Sequence, residues 1–553
     1  MAKRIVIVGG VAGGATAAAR ARRLDESAEI IVFERGEYVS FANCGLPYYI
    51  GGEIEKREDL LVATPEMLAG RYNIDVRTSS EVLRIDRQHK RVEVKNLKTG
   101  GTYAERYDKL ILSPGATPVK PPVDGIELES IFTLRNIPDT DRIKAYVDRR
   151  RPERAVVVGG GFIGLEMTEQ LVRRGVRVTV VEMLDQVMPP IDYEMAMFVH
   201  VHLRDKGVEL RLRDGLNSLR EADGKTVVTT RSGAEIACDM VVLSIGVKPE
   251  SALAREAGLE LGERGGIRTN DRMQTSDPDI YAVGDAVEVR DPVSGAPAMI
   301  PLGGPANKQG RIAADNALGR DSTYSGTQGT AVVRVFDLTV ASTGNSEKML
   351  KAVKRPYLVS YTHSASHASY YPGSHMLTIK LIFDPEGGKV LGAQVVGMDG
   401  VDKRIDVIAT AIRAGMTVYD LEELELAYAP PFGSAKDPVN IAGYVASNML
   451  KGDVENVNWH EIEELQDKDD HVLLDMRTQE EIAGVGTIEN SLHIPINELR
   501  SKLSGLDRAK TYIPFCAIGL RGYVGYRILV QNGFKSKNLS GGYKTFNVAT
   551  MEG

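Results

Sequence analysis

Cysteine is scarce in this chain: 553 residues carry three, Cys44, Cys238 and Cys516. An odd, sparse set builds no disulfide framework, so a reducing compartment is expected and the protein reads as cytoplasmic. Long apolar runs are missing too. The first, Ile5-Val6-Ile7-Val8, stops at Gly9-Gly10, too soon for a signal-peptide core. No stretch approaches the ~18 apolar residues of a membrane span, so no membrane partner is expected. An excess of positive charge is also absent. The net charge of −7 argues against nucleic acid as the main partner and leaves open a local basic patch.

What is present is an ordinary globular composition, 43% hydrophobic and 26% charged. At roughly 100–200 residues per domain, the length predicts three to five units.

One pattern occurs twice. Ile5–Val8 runs into Gly9-Gly10-Val11-Ala12-Gly13-Gly14 and a helical stretch to Leu24; Ile30–Phe33 follows and ends at Glu34. Ala155–Val158 runs into Gly159-Gly160-Gly161-Phe162-Ile163-Gly164 and a helical stretch to Arg174; Val178–Val181 follows and ends at Glu182. Strand, glycine turn, helix, strand and acid make the dinucleotide-binding βαβ unit. Glycines let the backbone approach a pyrophosphate, the helix N-terminus offers free N–H groups, and the acid accepts from ribose hydroxyls. Val11 stands where the middle glycine is expected in the first copy. The alternative reading of Glu182 is a solvated strand-end acid. A carboxylate there favours NADH over NADPH, with Arg177 and Lys206 as cations that would weaken the preference.

From about Gln328 to Asn448 the glycine motifs stop. Val332–Phe336, Leu377–Phe383 and Val390–Val396 predict strands, and Asp402–Ala414 and Asn440–Met449 predict helices, an α+β unit. Lys451–Asn456 is polar and reads as a linker. The last ~100 residues read as a small α/β unit. Cys238, at the start of an apolar strand, reads as structural.

Thr275–Ala286, with Val283-Gly284-Asp285, resembles the second FAD motif of the two-dinucleotide-domain disulfide reductases. Ile111–Ala116 resembles their crossover between nucleotide domains. The resemblance covers about residues 1–450. It implies FAD on the first unit and a nicotinamide nucleotide on the second. The cofactor positions it implies are Gly9, Val11, Ala12, Gly13, Gly14, Glu34, Arg35, Asn43, Val82, Ser113, Gly115, Gly159, Gly161, Phe162, Ile163, Gly164, Glu182, Gly246, Gly284, Asp285, Pro301 and Ala306. No metal site is expected.

Glutathione-reductase-type members place a second cysteine five residues after the first. Here that position is Tyr49, so Cys44 pairs with a small-molecule sulfur or is oxidised to sulfenic acid. Ser40-Phe41-Ala42-Asn43-Cys44 resembles the coenzyme A–disulfide reductase and NADH-dependent persulfide reductase branch. That branch implies a homodimer whose partner inserts tyrosines matching Tyr370 and Tyr428, for which core packing is the alternative. It also implies coenzyme A contacts at Thr16, Arg20, Arg23, Ser40, Asn43, Arg71 and Lys436. Arginine and lysine suit coenzyme A phosphates; a solvated helix face is the alternative for Arg20 and Arg23. A histidine that relatives carry near Asn307 is absent.

Val472–Arg477, His493-Ile494-Pro495, Phe515–Gly522 and Asn538–Tyr543 resemble a rhodanese domain. Its loop would begin at Cys516 and end at Arg521, pointing N–H groups at a thiolate or persulfide, with Arg521 adding positive charge.

The expected fold is α/β: an FAD domain (1–150 and 250–327), an NAD(H) domain (151–249), an α+β dimerisation domain (328–450), a linker (451–456) and a rhodanese domain (457–553). The expected activity is NADH- and FAD-dependent reduction of persulfide, polysulfide or coenzyme A disulfide through Cys44, with sulfur transfer at Cys516. The rival expectations are an NADH oxidase or peroxidase cycling Cys44 sulfenic acid, and a sulfur-carrier or sensor protein that docks through its rhodanese unit.

Overall fold

The structure, a computed structural model, describes residues 2–551. The chain divides into two compact units, Met1–Leu184 with Gly207–Gly329 and Asp185–Lys206 with Thr330–Gly553.

The first unit holds both nucleotide motifs. It runs β1 (Arg4–Val8), α1 (Gly13–Leu24), β2 (Glu29–Phe33), α2 (Leu46–Gly51), β3 (Asp75–Arg77) and β4 (Lys109–Leu112). Then come β5 (Ile131–Phe132), α3 (Ile137–Arg150), β6 (Arg154–Val158), α4 (Phe162–Arg173) and β7 (Arg177–Val181). It ends with β8 (Glu209–Arg211), β9 (Met240–Leu243), β10 (Ile280–Ala282) and α5 (Gly303–Ala317). Two five-stranded sheets result, in the orders β10-β4-β1-β2-β3 and β8-β7-β6-β9-β5. Every pairing in them is parallel. Continuous apolar strands such as Ile5-Val6-Ile7, all fully buried, are what a sheet covered on both faces requires.

The two copies of the motif are built alike. The N–H of Gly9 donates to Phe33 O at 2.8 Å, and that of Gly159 to Val181 O at 2.8 Å. Ser113 N–H donates to Val8 O and Ser244 N–H to Val158 O, each at 2.7 Å. A Cβ on Gly14 would meet Gly9 O at 1.9 Å, and one on Gly164 would meet Gly159 O at 2.0 Å. Only glycine lets helix and turn approach so closely.

The second unit begins with the helix Tyr193–Asp205, which leaves its sequence neighbours to join a sheet from far along the chain. That sheet holds β11 (Ala331–Val335), β12 (Leu338–Gly344), β13 (Leu358–Ala365), β14 (Met376–Phe383) and β15 (Val390–Gly397). Its order is β11-β12-β15-β14-β13, all antiparallel. The helices Val401–Ala414 and Pro438–Leu450 belong to the same unit. The fully buried Lys380 on β14 anchors the stray helix. Its Nζ lies 2.8 Å from Asp192 and 2.5 Å from Glu347, and also pairs with Glu194. Breaking such a hub by removing the lysine leaves buried carboxylates uncompensated, at a cost of about 3–5 kcal/mol.

The same unit carries the C-terminal elements β16 (His471–Asp475), α6 (Gln479–Val485), β17 (Leu492–His493), β18 (Thr511–Phe515), α7 (Leu520–Gln531), β19 (Lys535–Ser536) and α8 (Gly542–Thr550). Their four-stranded parallel sheet has the order β17-β16-β18-β19. The segment 451–456 is tied rather than free: Arg527 donates to Asp453 O at 2.7 Å, and Asn456 pairs with Asn538 in a two-residue strand. Glu552 and Gly553, in the reading of 457–553, lie outside the described residues.

One sequence expectation is corrected. Cys238 ends the strand Glu235–Cys238 rather than opening the next. Asp239 breaks the run because its carboxylate accepts the N–H groups of Glu153 and Arg154, at 2.9 and 3.0 Å.

Candidate active site

The glycine turn after β1 delivers α1 with no capping side chain and no acid in its first turn. Ala12 holds φ +40°, a left-handed geometry that non-glycine residues adopt at a cost of about 1–3 kcal/mol, usually at functional turns. Glu34 braces the turn: Gly10 N–H donates to Oε2 at 2.9 Å and Gly36 N–H to Oε1 at 2.8 Å. A Cβ on Gly13 would lie 3.2 Å from Ala306 O and 3.2 Å from Ser113 Oγ, so these three predicted cofactor positions converge. Gly284 N–H donates to Gln309 at 2.8 Å and sets the turn carrying Asp285. Asp285 is half-buried; desolvation pushes its carboxyl up, against the pull of Arg135. An uncapped helix end, a glycine cradle and a desolvated carboxylate fit a dinucleotide carrying a polyol chain. Arg35 is engaged elsewhere, donating to Glu250 at 3.0 and 3.2 Å. Val82 is buried in the strand Ser80–Asp86, and Gly115 takes a positive φ on the crossover.

The second copy repeats the brace. Gly160 N–H donates to Glu182 Oε2 at 2.7 Å, and Leu184 N–H to Oε1 at 2.9 Å. Gly161 caps α4 with open space where a Cβ would stand, while Ile163 is exposed and Gly246 takes a positive φ. Arg177 opens β7 and Glu182 follows its end, about 16 Å apart along an extended strand, so Arg177 is not at this ribose position. Lys206 pairs with Asp337. Arg213 was not foreseen: its N–H donates to Leu184 O at 2.8 Å, next to the Glu182 turn.

Cys44 is exposed on the short 3-10 turn Asn43–Gly45 that leads into α2. Its neighbours after the thiol are held firmly. Thr140 donates to Leu46 O at 3.1 Å, Tyr48 to Glu166 at 3.1 Å, and Arg174 to Ile50 O at 2.9 Å. A Cβ on Gly51 would meet Gln170 Oε1 at 1.8 Å. Desolvation pushes the Cys44 thiol up, and the charges of Glu166 and Asp285 push it further. Cys44 therefore feels the charges of Asp285, from the segment 275–286, and of Glu166, on the second motif's helix. Sequence reading missed Glu166. The available signal was spacing: Glu166 and Gln170 lie four residues apart, two polar side chains on one face of α4.

Thr16 and Asn307 touch, with Thr16 Oγ1 donating to Asn307 Oδ1 at 2.5 Å. Arg20 is paired with Asp315 at 2.6 Å, so its charge is compensated. Arg23 and Arg71 are exposed, and so is Asn43. Ser40 takes φ +50° and its N–H donates to Gly10 O at 3.0 Å, which fixes the loop to the first glycine turn. Pro301 is exposed just before α5.

In the second unit, Tyr370 and Tyr428 meet hydroxyl to hydroxyl at 2.9 Å although 75% and 48% exposed, which is not core packing. Their shared hydrogen bond raises the Tyr370 phenol. Lys436 is exposed beside the Asp437 that caps the helix Pro438–Leu450. Cys516 is buried at the end of β18, and Gly519 N–H donates to its Sγ at 3.2 Å. Arg521 forks onto Glu481 at 2.7 and 2.6 Å and so shares its charge. That pairing holds the Glu481 carboxyl down at about 2. Cys238 is buried and pushed up to about 12 by desolvation, as an inert structural thiol should be.

Residues 3–308 match the pyridine nucleotide-disulphide oxidoreductase family, residues 330–438 that family's dimerisation domain, and residues 458–549 the rhodanese-like domain. The chain belongs to the pyridine nucleotide-disulphide oxidoreductases, an FAD- and NAD(P)H-dependent enzyme family, and carries a C-terminal rhodanese-like domain. It is 36% identical over 448 residues to the coenzyme A disulfide reductase of Staphylococcus haemolyticus, covering 81% of this chain and 100% of the relative. The structure is similar to reduced CoADR-RHD of Bacillus anthracis, with TM-score 0.97, 54% identity, and 99% and 98% of the two chains covered. It is also similar to an NAD-dependent persulfide reductase from A. fulgidus, with TM-score 0.92, 41% identity, and 98% and 100% covered. Among the described residues, no helix is long and apolar enough to cross a membrane.

Proposed function

We propose that the protein uses NADH to reduce the sulfur–sulfur bond of a persulfide, polysulfide or coenzyme A disulfide through Cys44, and transfers sulfane sulfur through Cys516. The observation that carries the reading is an unpaired thiol, Cys44, within reach of the charges of Asp285, from the segment 275–286, and of Glu166, on the helix of the second nucleotide motif. A thiol without a partner cysteine takes its second sulfur from the substrate. The relatives named for coenzyme A disulfide and persulfide reduction favour this over an oxidase or a docking module.

Gly9, Gly13, Gly14, Glu34 and Asp285 would hold FAD, which when bound carries two electrons from nicotinamide to sulfur. Glu182 would hold the NADH ribose. The Cys44 thiolate attacks one sulfur of the substrate and forms a mixed disulfide, expelling the other sulfur as a thiolate that takes up a proton. Two electrons and a proton then free the second thiol and restore the thiolate. The sums are NADH + H⁺ + RSSH → NAD⁺ + RSH + H₂S, and NADH + H⁺ + CoA disulfide → NAD⁺ + 2 CoA. Tyr370 and Tyr428, supplied by the partner of a homodimer, would offer hydroxyls that donate to the leaving thiolate. Thr16, Ser40, Asn43, Arg23, Arg71 and Lys436 would hold coenzyme A, with Arg20 contributing through its stem.

The test is NADH oxidation with coenzyme A disulfide, a coenzyme A persulfide, polysulfide, peroxide and oxygen. Turnover on sulfur substrates well above that on oxygen and peroxide is expected; the reverse order overturns the reading.

A further inference from the structure

The rhodanese loop rests on a floor that the neighbouring sheet holds. Cys516 O accepts from Tyr543 N–H at 2.7 Å and Ala517 O from Lys544 N–H at 2.9 Å. Beneath them pass Gly541 and Gly542, both with positive φ. A Cβ on Gly542 would lie 2.4 Å from Cys516 O and 2.8 Å from Gly519 N, the group that points at the sulfur. On the other side of this floor stands His363 of β13. Its Nε2 lies 3.1 Å from Gly541 O and 2.9 Å from Thr545 Oγ1, and its Nδ1 lies 2.8 Å from Thr378 Oγ1. Tyr361, on the same strand, closes the space: a Cβ on Gly541 would come within 2.8 Å of its Cβ.

A carbonyl only accepts, so Nε2 carries the proton toward Gly541 O, and Nδ1 accepts from Thr378. Burial keeps the ring neutral, with its pKa pushed down to about 3. The chain of contacts runs from the dimerisation sheet through His363 and Gly541-Gly542 to the N–H that faces Sγ. A loop that stabilises a sulfur anion depends on donors fixed in advance, and a shift near 1 Å costs on the order of 100-fold in rate.

We infer that His363 of the dimerisation sheet is a positioning residue for the Cys516 loop, fixing the Gly541-Gly542 floor on which that loop's donor geometry depends. The inference deepens the sulfur-transfer reading above and rests on it.

The experiment uses the full chain. His363→Ala is expected to lower kcat for sulfur transfer from thiosulfate to cyanide about 10- to 100-fold, with a smaller change in KM. NADH-dependent reduction of coenzyme A disulfide should stay within about two-fold of wild type, because His363 has no part in that half. In a Cys44→Ser background, where Cys516 is the reporting thiol, the pH profile of iodoacetamide alkylation should move upward as the thiolate loses its donor. His363→Gln, whose amide can still donate to Gly541 O, should recover most of both effects. Transfer within two-fold of wild type with a superimposable alkylation profile overturns the inference, as does equal loss of both activities. If His363→Ala is insoluble, Thr545→Val is read by the same two measures. If the wild type transfers no sulfur, the sulfur-transfer reading fails, and the alkylation profile alone decides the positioning role.

Discussion

Replacing Glu182 separates the brace its carboxylate makes from the ribose contact proposed for it. Its two oxygens each accept a backbone N–H, from Gly160 at 2.7 Å and Leu184 at 2.9 Å, which fixes the turn. Each oxygen keeps a second lone pair with which it can accept from a ribose hydroxyl. In Glu182→Ala the brace is lost for any nucleotide, at about 1–3 kcal/mol for the donors left unpaired. The ribose contact is lost only for NADH, since NADPH carries a phosphate at the 2′ position. One charge-assisted hydrogen bond is worth about 1.5–3 kcal/mol, or ~10- to 150-fold in kcat/KM. For NADPH, removing the carboxylate also removes a repulsion, and Arg213, exposed and tied through its backbone N–H to Leu184 O, is the nearby cation to test. The expected result is a shift of the NADH-to-NADPH ratio of kcat/KM by at least ten-fold toward NADPH. The absolute loss common to both measures the brace. Steady-state kinetics at fixed coenzyme A disulfide gives both numbers, and Glu182→Ala/Arg213→Ala should reverse the NADPH gain. An unchanged ratio removes Glu182 from the ribose and leaves it as a structural brace.

The purified chain should be yellow with one FAD bound, and Asp285→Ala should lower flavin occupancy read from the visible absorbance; full occupancy in that variant would remove Asp285 from the flavin site. Cys44→Ser should abolish NADH-dependent reduction of every sulfur substrate while keeping the flavin, whereas Cys516→Ser should abolish sulfur transfer and spare reduction of small persulfides. Retained persulfide reduction in Cys44→Ser would end the central claim. Acid should destabilise the second unit early. His200 and His363 are held neutral by burial, at about 4 and about 3 against 6.5. The unfolded chain therefore binds protons first, and stability is lost as pH falls from 6.5 toward those values, by about 1.4 kcal/mol per pH unit for each histidine. Denaturant midpoints at pH 7.5, 6 and 5 should fall, and His363→Gln should flatten the slope; a flat profile in the wild type would contradict the buried neutral state.

Local patterns foretold much of this. Both nucleotide turns, the positions of Glu34 and Glu182 and the loop around Cys516 follow from glycine spacing and short apolar strands, because those features are dictated within thirty or so residues. What the pattern hid is long-range. The helix Tyr193–Asp205 joins the sheet beyond Ala331 because Asp192 and Glu194 reach Lys380, and nothing in the helix's own periodicity marks that choice. Arg521 reads as a free cation until α6 supplies Glu481. Arg20 reads as an unpaired cation until α5 supplies Asp315. A charge is easily seen in sequence; its partner is settled by packing.

The two reactive thiols illustrate how environment divides labour. Cys44 is exposed, yet desolvation of its thiol and then the charges of Glu166 and Asp285 raise it, so the free protein holds it as a thiol. Cys516 is buried, yet Gly519 N–H faces its sulfur and Arg521 stands near it, a setting suited to an anion. A thiol held protonated resists idle oxidation, since the thiolate is the reactive form. A sulfur cradled by donors can instead keep a persulfide charge without releasing it. The Cys44 setting predicts a change of reactivity. Glu166→Gln should lower the Cys44 pKa and speed its alkylation at pH 7, while leaving the rate at Cys516 unchanged. Tryptic mapping of the modified cysteines reads both rates in one sample. Labelling of Cys44 that is indifferent to Glu166→Gln would show that the acid charge does not govern that thiol.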